Sequence, residues 1–526
     1  MRKKLLTTGI ALVSCLSMYA GDLVTNTNQN AIFLRNPARD ASTEIDAAYT
    51  NPAGLAFLKK DGFFLSVSNQ AAFQTRTITS TFLPFAGGPG GSATKAFEGK
   101  AQSLVIPNLQ AAYKLNKWVI SANVGIVGGG GTLDFSKGLP SFESQVALLP
   151  LMLSGNSIPT TQYDLDSRLK GTSAIYGIQL GVTYKISDQF SAYLGGRASI
   201  VTTKYEGYIR NIRANVMGGP LQNVSSFLLE QILPPLTNLN NSYMQPIIDS
   251  GHGDVPLAGV LSPAQIAGIA AGLGLSTDAV GKMTANNFIE KAEQVNEYAA
   301  QTADKELNCK QNGSGIAPII GFNYNWNGLN IGVKYEFKSA VTVKNKTATN
   351  TTGMADYNDG AETPYDIPAM FSVGAKYDIT SQWTVSAGYH HFFDSDAKMA
   401  EIDDPNHPGQ KIGKQKLITS GDNEYLAGVE YRINKLFLVS CGTEITRQGV
   451  NDAYQSDMSY AINSYSIGLG GAINLTENIR LNLAYLFTNY SNWPVGPYKY
   501  AGTTIDKTDV YSKTNKAFGI SLDFRF

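Results

Sequence analysis

Fourteen segments of this chain alternate apolar and polar residues at period two, and the connections between them alternate in length, which leaves little room for anything but a closed sheet. The segments lie near residues 61–72, 102–115, 118–128, 173–185, 189–208, 316–325, 328–343, 367–379, 382–393, 423–433, 436–446, 463–474, 479–489 and 515–526. Every second connection is minimal: Asn116-Lys117, Ser187-Asp188, Trp326-Asn327, Thr380-Ser381, Asn434-Lys435 and Thr476-Glu477. The intervening ones are long, over 73–101, 129–172, 209–315, 344–366, 394–422, 447–462 and 490–514. An even number of antiparallel strands, with tight turns on one rim and long loops on the other, is membrane-barrel topology. The expected fold is all-β, a 14-stranded antiparallel transmembrane β-barrel over residues 61–526.

The last segment carries the pattern most cleanly. Phe518, Ile520, Leu522, Phe524 and Phe526 would face lipid, and Gly519, Ser521, Asp523 and Arg525 the lumen. The terminal Phe526 is read as the signal to the barrel-assembly machinery. At the other end, Arg2, Lys3 and Lys4 precede an apolar run from Leu5 to about Leu16, and cleavage is expected after Ala20. Residues 1–20 thus read as an export signal peptide, which places the barrel in the bacterial outer membrane. Leu12-Val13-Ser14-Cys15 resembles a lipobox, and acylation of Cys15 is the second reading of this end.

Composition excludes other classes. The chain carries 42 basic and 42 acidic residues, so it has no nucleic-acid footprint. No run of about 18 apolar residues follows the signal, which excludes helical spans. The 27 Tyr, 23 Phe and 52 Gly suit aromatic girdles and glycine-rich strands. Cys309, in a long loop, and Cys441, in a strand, are too few for a disulfide framework or thiolate metal site, and read as two unpaired thiols or a single bridge. Gly128 to Gly131 lacks the lysine of a phosphate loop, and Asp356, Asn358 and Asp359 before Gly360 miss calcium-loop spacing. No metal and no cofactor is implied. Nor is an enzyme: of His252, His390, His391 and His407, only His390 sits on a strand with inward parity, and Ser386 lies too far along that strand for direct contact.

Residues 21–60 carry Arg35, Arg39, Asp40, Glu44 and Asp46, too many charges for a spanning segment, and read as a plug inside the barrel. Lumen-facing Lys376, Glu430, Arg432, Arg480, Asp523 and Arg525 near the short-turn rim could pair with those charges. The connection 209–315 is expected to fold as a helical cap, with Ser262-Pro263 starting a helix to Leu273, a second helix from about Asn286 to Leu307, and a short element over 227–233 before Pro234-Pro235.

Ala47-Ala48-Tyr49-Thr50-Asn51-Pro52-Ala53-Gly54-Leu55-Ala56, with its Asn-Pro-Ala core, resembles the N-terminal hatch of the FadL/TodX family of outer-membrane hydrophobic-substrate transporters. The resemblance continues through Lys117 to Gly125 and through Ile367-Pro368-Ala369 opening a strand that ends at Gln382-Trp383. It implies a plugged barrel that binds a hydrophobic molecule, a long-chain fatty acid first among the choices, and releases it sideways through the wall. Leaving an apolar environment costs about 0.8 kcal/mol per CH₂, so a hydrocarbon gains by passing into the bilayer. It also implies a hatch gate at Asn51, Pro52 and Ala53, and an exit at a kink of the third strand, where this chain has Gly128, Gly129, Gly130 and Gly131 beside Pro107. From parity alone, Arg197 and Lys334 point inward near mid-height, as a substrate carboxylate would require. A monomer in outer-membrane lipid is expected; a general diffusion porin or an adhesin is the alternative.

Overall fold

The computed structural model describes Leu23 and residues 30–156, 158–405, 407 and 409–526. The export signal, its cleavage site and Cys15 lie outside the described residues. The spanning strands are β1 Gly62–Phe82, β2 Thr94–Leu115, β3 Trp118–Phe135, β4 Tyr163–Lys185, β5 Phe190–Ala214 and β6 Lys305–Trp326. They continue as β7 (Leu329–Glu336 and Thr342–Asn350), β8 (Glu362–Pro364 and Met370–Asp378), β9 Trp383–Phe392, β10 Asn423–Arg432, β11 Phe437–Arg447, β12 Ser464–Asn474, β13 Ile479–Tyr490 and β14 Asp506–Arg525. Each pairs antiparallel with its neighbours, and β14 pairs with both β13 and β1, closing a 14-stranded barrel.

The outward faces are apolar, as lipid requires: Val67, Leu109, Ile120, Leu180, Leu194, Ile316, Phe322, Leu469 and Ile520 are all exposed. Aromatic pairs across neighbouring strands ring the short-turn rim, with Trp118 beside Tyr184 at 4.5 Å, Phe190 beside Tyr324 at 4.8 Å and Trp383 beside Tyr431 at 4.5 Å. Between β6 and β7 the turn is centred on Asn327-Gly328, both at positive φ (46° and 83°), one residue later than the expected Trp326-Asn327.

Seven outer connections are present, but most are shorter than expected because the strands run past the apolar belt. β1 continues to Phe82 and β2 begins at Thr94; β4 begins at Tyr163 and β14 at Asp506. These extensions are rich in Thr, Ser and Lys, so hydrophobic alternation ends where the lipid ends although backbone pairing continues. The expected single strand over 328–343 is interrupted between Glu336 and Thr342, where a bridge between Ser339 and Ile367 replaces the ladder. Cys309 sits on β6 rather than in a loop, buried and free, and Cys441 is free and exposed.

The β5–β6 connection is the helical cap. Ser262 accepts a hydrogen bond from the Gln265 amide in a capping box, Pro263 occupies the first turn, and the helix ends at Leu273 before Gly274 in the left-handed region. The long helix spans Ala285–Gln301, shorter than expected, because β6 already claims residues from Lys305. Pro234-Pro235 does not end a helix: helical backbone runs from Val224 to Asp249 through π turns at Leu228–Ile232 and Asn240–Met244. A proline lacks the N–H that an inner turn would need, and the wider turn ahead of it absorbs that loss.

Candidate functional site

The chain from Asn30 to Leu58 folds inside the barrel. Ala31–Arg35 and Ala47–Thr50 are short helices, followed by a 3₁₀ turn over Pro52–Phe57. Asn51 caps that turn by accepting from the Ala53 N–H at 3.3 Å, and its amide donates to the Phe322 carbonyl on β6 at 3.0 Å. The Pro52 and Ala53 carbonyls accept from Thr183 on β4 (2.8 Å) and Ser191 on β5 (2.7 Å). The Asn51, Pro52 and Ala53 positions therefore tie the hatch to three consecutive strands.

Several of the expected charge pairs form. Arg35 meets Glu430 at 2.7 Å and Arg480 meets Glu44 at 2.7 Å, while Arg39 is held by Asp46 at 2.6 Å within the hatch. Burial alone would raise the Glu44 carboxyl, but Arg480, Arg39 and Lys376 hold it well below its usual range. Lys376 donates to Thr43 at 3.3 Å. Asp523 bonds Ser66 and Asn482 on the wall rather than the hatch, and Arg432 reaches the Ser381 carbonyl at the turn. His390 bridges hatch Asp40 (2.8 Å) and wall Glu424 (2.7 Å) through its two ring nitrogens, so the one inward histidine is a strut and Ser386 instead neighbours Asn36.

Arg197 and Lys334 are both buried and both serve Tyr49 of the hatch. The Arg197 guanidinium lies 4.8 Å from the Tyr49 ring centroid and pairs with Glu336 and Gln179; Lys334 donates to the Tyr49 carbonyl at 3.3 Å and sits 3.8 Å from Glu336. Tyr49 also belongs to an apolar cluster with Val127, Ile175, Val201, Val341 and Val343. Val127 directly precedes the four glycines of β3.

At those glycines the wall is broken. Gly129 and Gly130 have φ of 66° and 101°, and β3 shifts register against β4 twice, between Ile126 and Gly128 and between Gly129 and Gly131. A side chain on Gly129 would lie 2.4 Å from the Ser173 carbonyl. On the other edge, pairing of β2 with β3 stops at Gln102–Thr132 and resumes only at Asn108–Gly125. Pro107 could not donate there in any case.

A lumen cavity of about 310 Å³ opens onto this gap. Gln102, Ser103 and Ile106 line it from β2 and Gly128 to Gly131 from β3, with Leu34 of the hatch, Ile175, Leu486 and Ala517 adding apolar wall. Arg197 and Lys334 are not among its lining residues. Its cations are Arg76 and Lys513, which face each other directly across β1 and β14, next to the Gln74–Asn515 pair. The Arg76 guanidinium lies 5.7 Å from the Tyr460 ring and the Lys513 ammonium 4.9 Å from the Tyr490 ring. Parity does not reach these two cations, because β1 and β14 run beyond the ends that hydrophobic alternation assigns.

A second set of site residues carries neither charge nor motif to reveal it: the inward glycines. Side chains on Gly332, Gly428 and Gly468 would lie 2.2 Å from the Asp40 carbonyl, 1.8 Å from Asn36 Oδ1 and 2.2 Å from the Leu34 carbonyl. Strand glycines at inward parity thus mark where the hatch touches the wall. Above the barrel, a further apolar pocket of about 160 Å³ lies between the helix Leu149–Gly155 and the cap, lined by Leu153, Leu228, Ile232, Leu236 and Val295, with Lys291 at its edge.

No family profile and no curated protein matches the chain in sequence. In structure it is similar to a Pseudomonas aeruginosa FadL homologue, at 10% identity and a TM-score of 0.56, over 96% of this chain and 100% of that one. It is also similar to the Pseudomonas putida toluene transporter TodX, at 13% identity and a TM-score of 0.51, over 96% and 100%. The chain has the FadL/TodX fold.

Proposed function

We propose that this barrel transports hydrophobic compounds across the bacterial outer membrane, taking an amphipathic substrate with an anionic head into the lumen cavity and releasing it through the β2–β3 gap into the bilayer. The observation that carries this reading is that one cavity of about 310 Å³ is lined by both edges of a wall gap. A long-chain fatty acid suits it: the apolar side takes the chain, and the opposed Arg76 and Lys513 take the carboxylate. The likeness to FadL and TodX structures supports the same reading at the level of fold.

In this reading the cap pocket collects substrate first, and the hatch is the gate, held by Asn51, Pro52 and Ala53 and by the Arg197–Lys334 clamp on Tyr49. Because Arg197 and Lys334 are buried, share Glu336 and do not line the cavity, they act on the head group only through the hatch. Tyr49 packs in one cluster with Val127, so hatch movement reaches the kink directly. Release into lipid needs no aqueous channel, which agrees with a filled lumen.

The test is uptake of a labelled long-chain fatty acid and of a small hydrophilic sugar by cells lacking their own transporter. Fatty-acid uptake alone is expected, and replacing Arg76 by Met should weaken fatty-acid binding about tenfold, the loss of one charge-assisted contact. Sugar uptake alone would mean an open pore and would overturn the proposal.

A further inference from the structure

Asn69 is a polar side chain on the lipid-facing side of β1. Its neighbours on that face are exposed and apolar: Val67 and Phe73 along the strand, and Ile520 directly across on β14. An amide in that position is costly unless both its ends are satisfied. Both are. The Asn69 amide nitrogen donates to the Leu104 carbonyl at 3.2 Å, and its oxygen accepts from the Ile106 N–H at 3.0 Å.

Those two backbone groups flank Val105 at the one place where β1 and β2 lose register. Gln70 pairs with Ile106 and Ala72 with Ser103, so Ala71 faces both Leu104 and Val105. The bulge turns Leu104 and Val105 together toward lipid and leaves Ile106 pointing into the cavity. It coincides with residues 103–107, the stretch of β2 that makes no ladder to β3. The side chain of Asn69 thus supplies the partners that the neighbouring backbone cannot, in a place where water is absent.

We propose that Asn69 is the positioning residue of the lateral exit: it pins the β2 bulge so that the wall stays parted from β3 without exposing unpaired backbone to the bilayer. The inference rests on the lateral-release reading above. Asn69 touches neither the cavity nor the substrate, so its action is on the geometry of the opening alone.

The test compares Asn69→Leu with Gly130→Val in the full chain, reading three quantities. These are assembly, by heat-modifiable electrophoretic mobility; affinity for a labelled long-chain fatty acid in detergent; and uptake by cells. For N69L the expected result is normal assembly, affinity within twofold of the parent and uptake down about tenfold, the consequence of losing a pair of lipid-facing hydrogen bonds at the opening. A merely structural role would lower affinity and uptake together. Deleting Val105, which restores regular β1–β2 register, should cut uptake as well, and N69L should add nothing in that background. If N69L does not assemble, Asn69→Ala serves instead: it also removes both bonds but adds neither bulk nor charge on the lipid face, and should cut uptake about tenfold at unchanged affinity. Normal uptake in an assembled Asn69 variant while G130V blocks uptake would overturn the role of Asn69 and leave lateral release standing. Normal uptake in both would overturn the two together.

Discussion

Neutralising Glu430 should unlatch the hatch. The Arg35 side chain is 0% exposed, and its charge is met by Glu430 at 2.7 Å, with Ser440 at 2.6 Å as a neutral partner. Glu430 is also 3.6 Å from Arg39, whose other carboxylates, Asp46 and Glu44, belong to the hatch itself. Glu430→Gln keeps an acceptor for Arg35 but leaves two buried guanidinium groups facing the wall without its charge. Breaking a buried pair costs about 3–5 kcal/mol, and the retained acceptor argues for the lower end, about 3 kcal/mol, or roughly a hundredfold in the ratio of docked to released hatch. Planar-bilayer conductance reads this directly: the parent should stay closed and E430Q should show intermittent openings. Trypsin cleavage after Arg35 and Arg39 should rise in parallel, with barrel mobility on gels unchanged. Replacing Arg35 by Met and Glu430 by Leu together should restore most of the closure, since an apolar pair of similar volume removes the unmatched charge. An assembled E430Q barrel with parental conductance and no new cleavage would refute the idea that wall charge holds the plug.

Two further outcomes follow from the same geometry. Gly468→Val places a Cβ 2.2 Å from the Leu34 backbone carbonyl, which no rotamer change relieves, so the hatch must leave its seat; overpacking of this kind costs about 1–3 kcal/mol or more, and the variant should leak small solutes while its barrel still assembles, a result that sugar influx measures. In the outer loop, burial pushes the Asp394 carboxyl from 3.8 up to about 6, and its partner Asp422, whose N–H it accepts at 2.9 Å, is raised by burial and by Asp394 itself. A carboxyl raised in the folded state stabilises fully below its unfolded value and loses that contribution as pH rises through the folded one. Hydrogen-exchange protection of residues 393–422 should therefore fall between about pH 4 and pH 6–7, and Asp394→Asn, which keeps the acceptor, should flatten the dependence. Protection that rises with pH would reverse the sign of the argument.

The existence and order of all fourteen strands can be read from the chain, because a lipid-facing side chain at every second position is a demand no other environment makes. The ends of β1, β4 and β14 are not legible for the converse reason. Beyond the hydrocarbon both faces meet polar surroundings, and alternation there has no apolar phase to follow, as the run Thr75-Arg76-Thr77 illustrates. That is why Arg76 and Lys513 stay hidden in the sequence while Arg197 and Lys334, well inside the belt, stand out. The helix over Pro234-Pro235 is hidden by a rule that holds for α turns and fails for π turns. Interruption of β7 leaves no periodic trace, since Ser339 and Ala340 suit a bridge as well as a ladder.

Glycine serves this barrel in two ways. In β3 it is used for conformation: Gly129 and Gly130 adopt positive φ and let the strand buckle off its neighbour. In β7, β10 and β12 it is used for space: Gly332, Gly428 and Gly468 sit in ordinary extended backbone and simply leave room for the hatch. The two uses answer one problem. A barrel that keeps its lumen filled cannot pass a hydrocarbon along its axis without displacing the filling, whereas a wall that parts at one seam needs only a short movement of what leans on that seam. Tyr49 leans there, sharing a cluster with Val127 immediately before the buckle and gripped on the other side by Arg197 and Lys334. Charge holds the hatch at Glu430 on β10 and His390 on β9, across the barrel from the seam, so on the proposed reading it pivots at Tyr49 while remaining anchored. On that same reading, this separation of anchor from pivot would open the seam while the lumen stays filled.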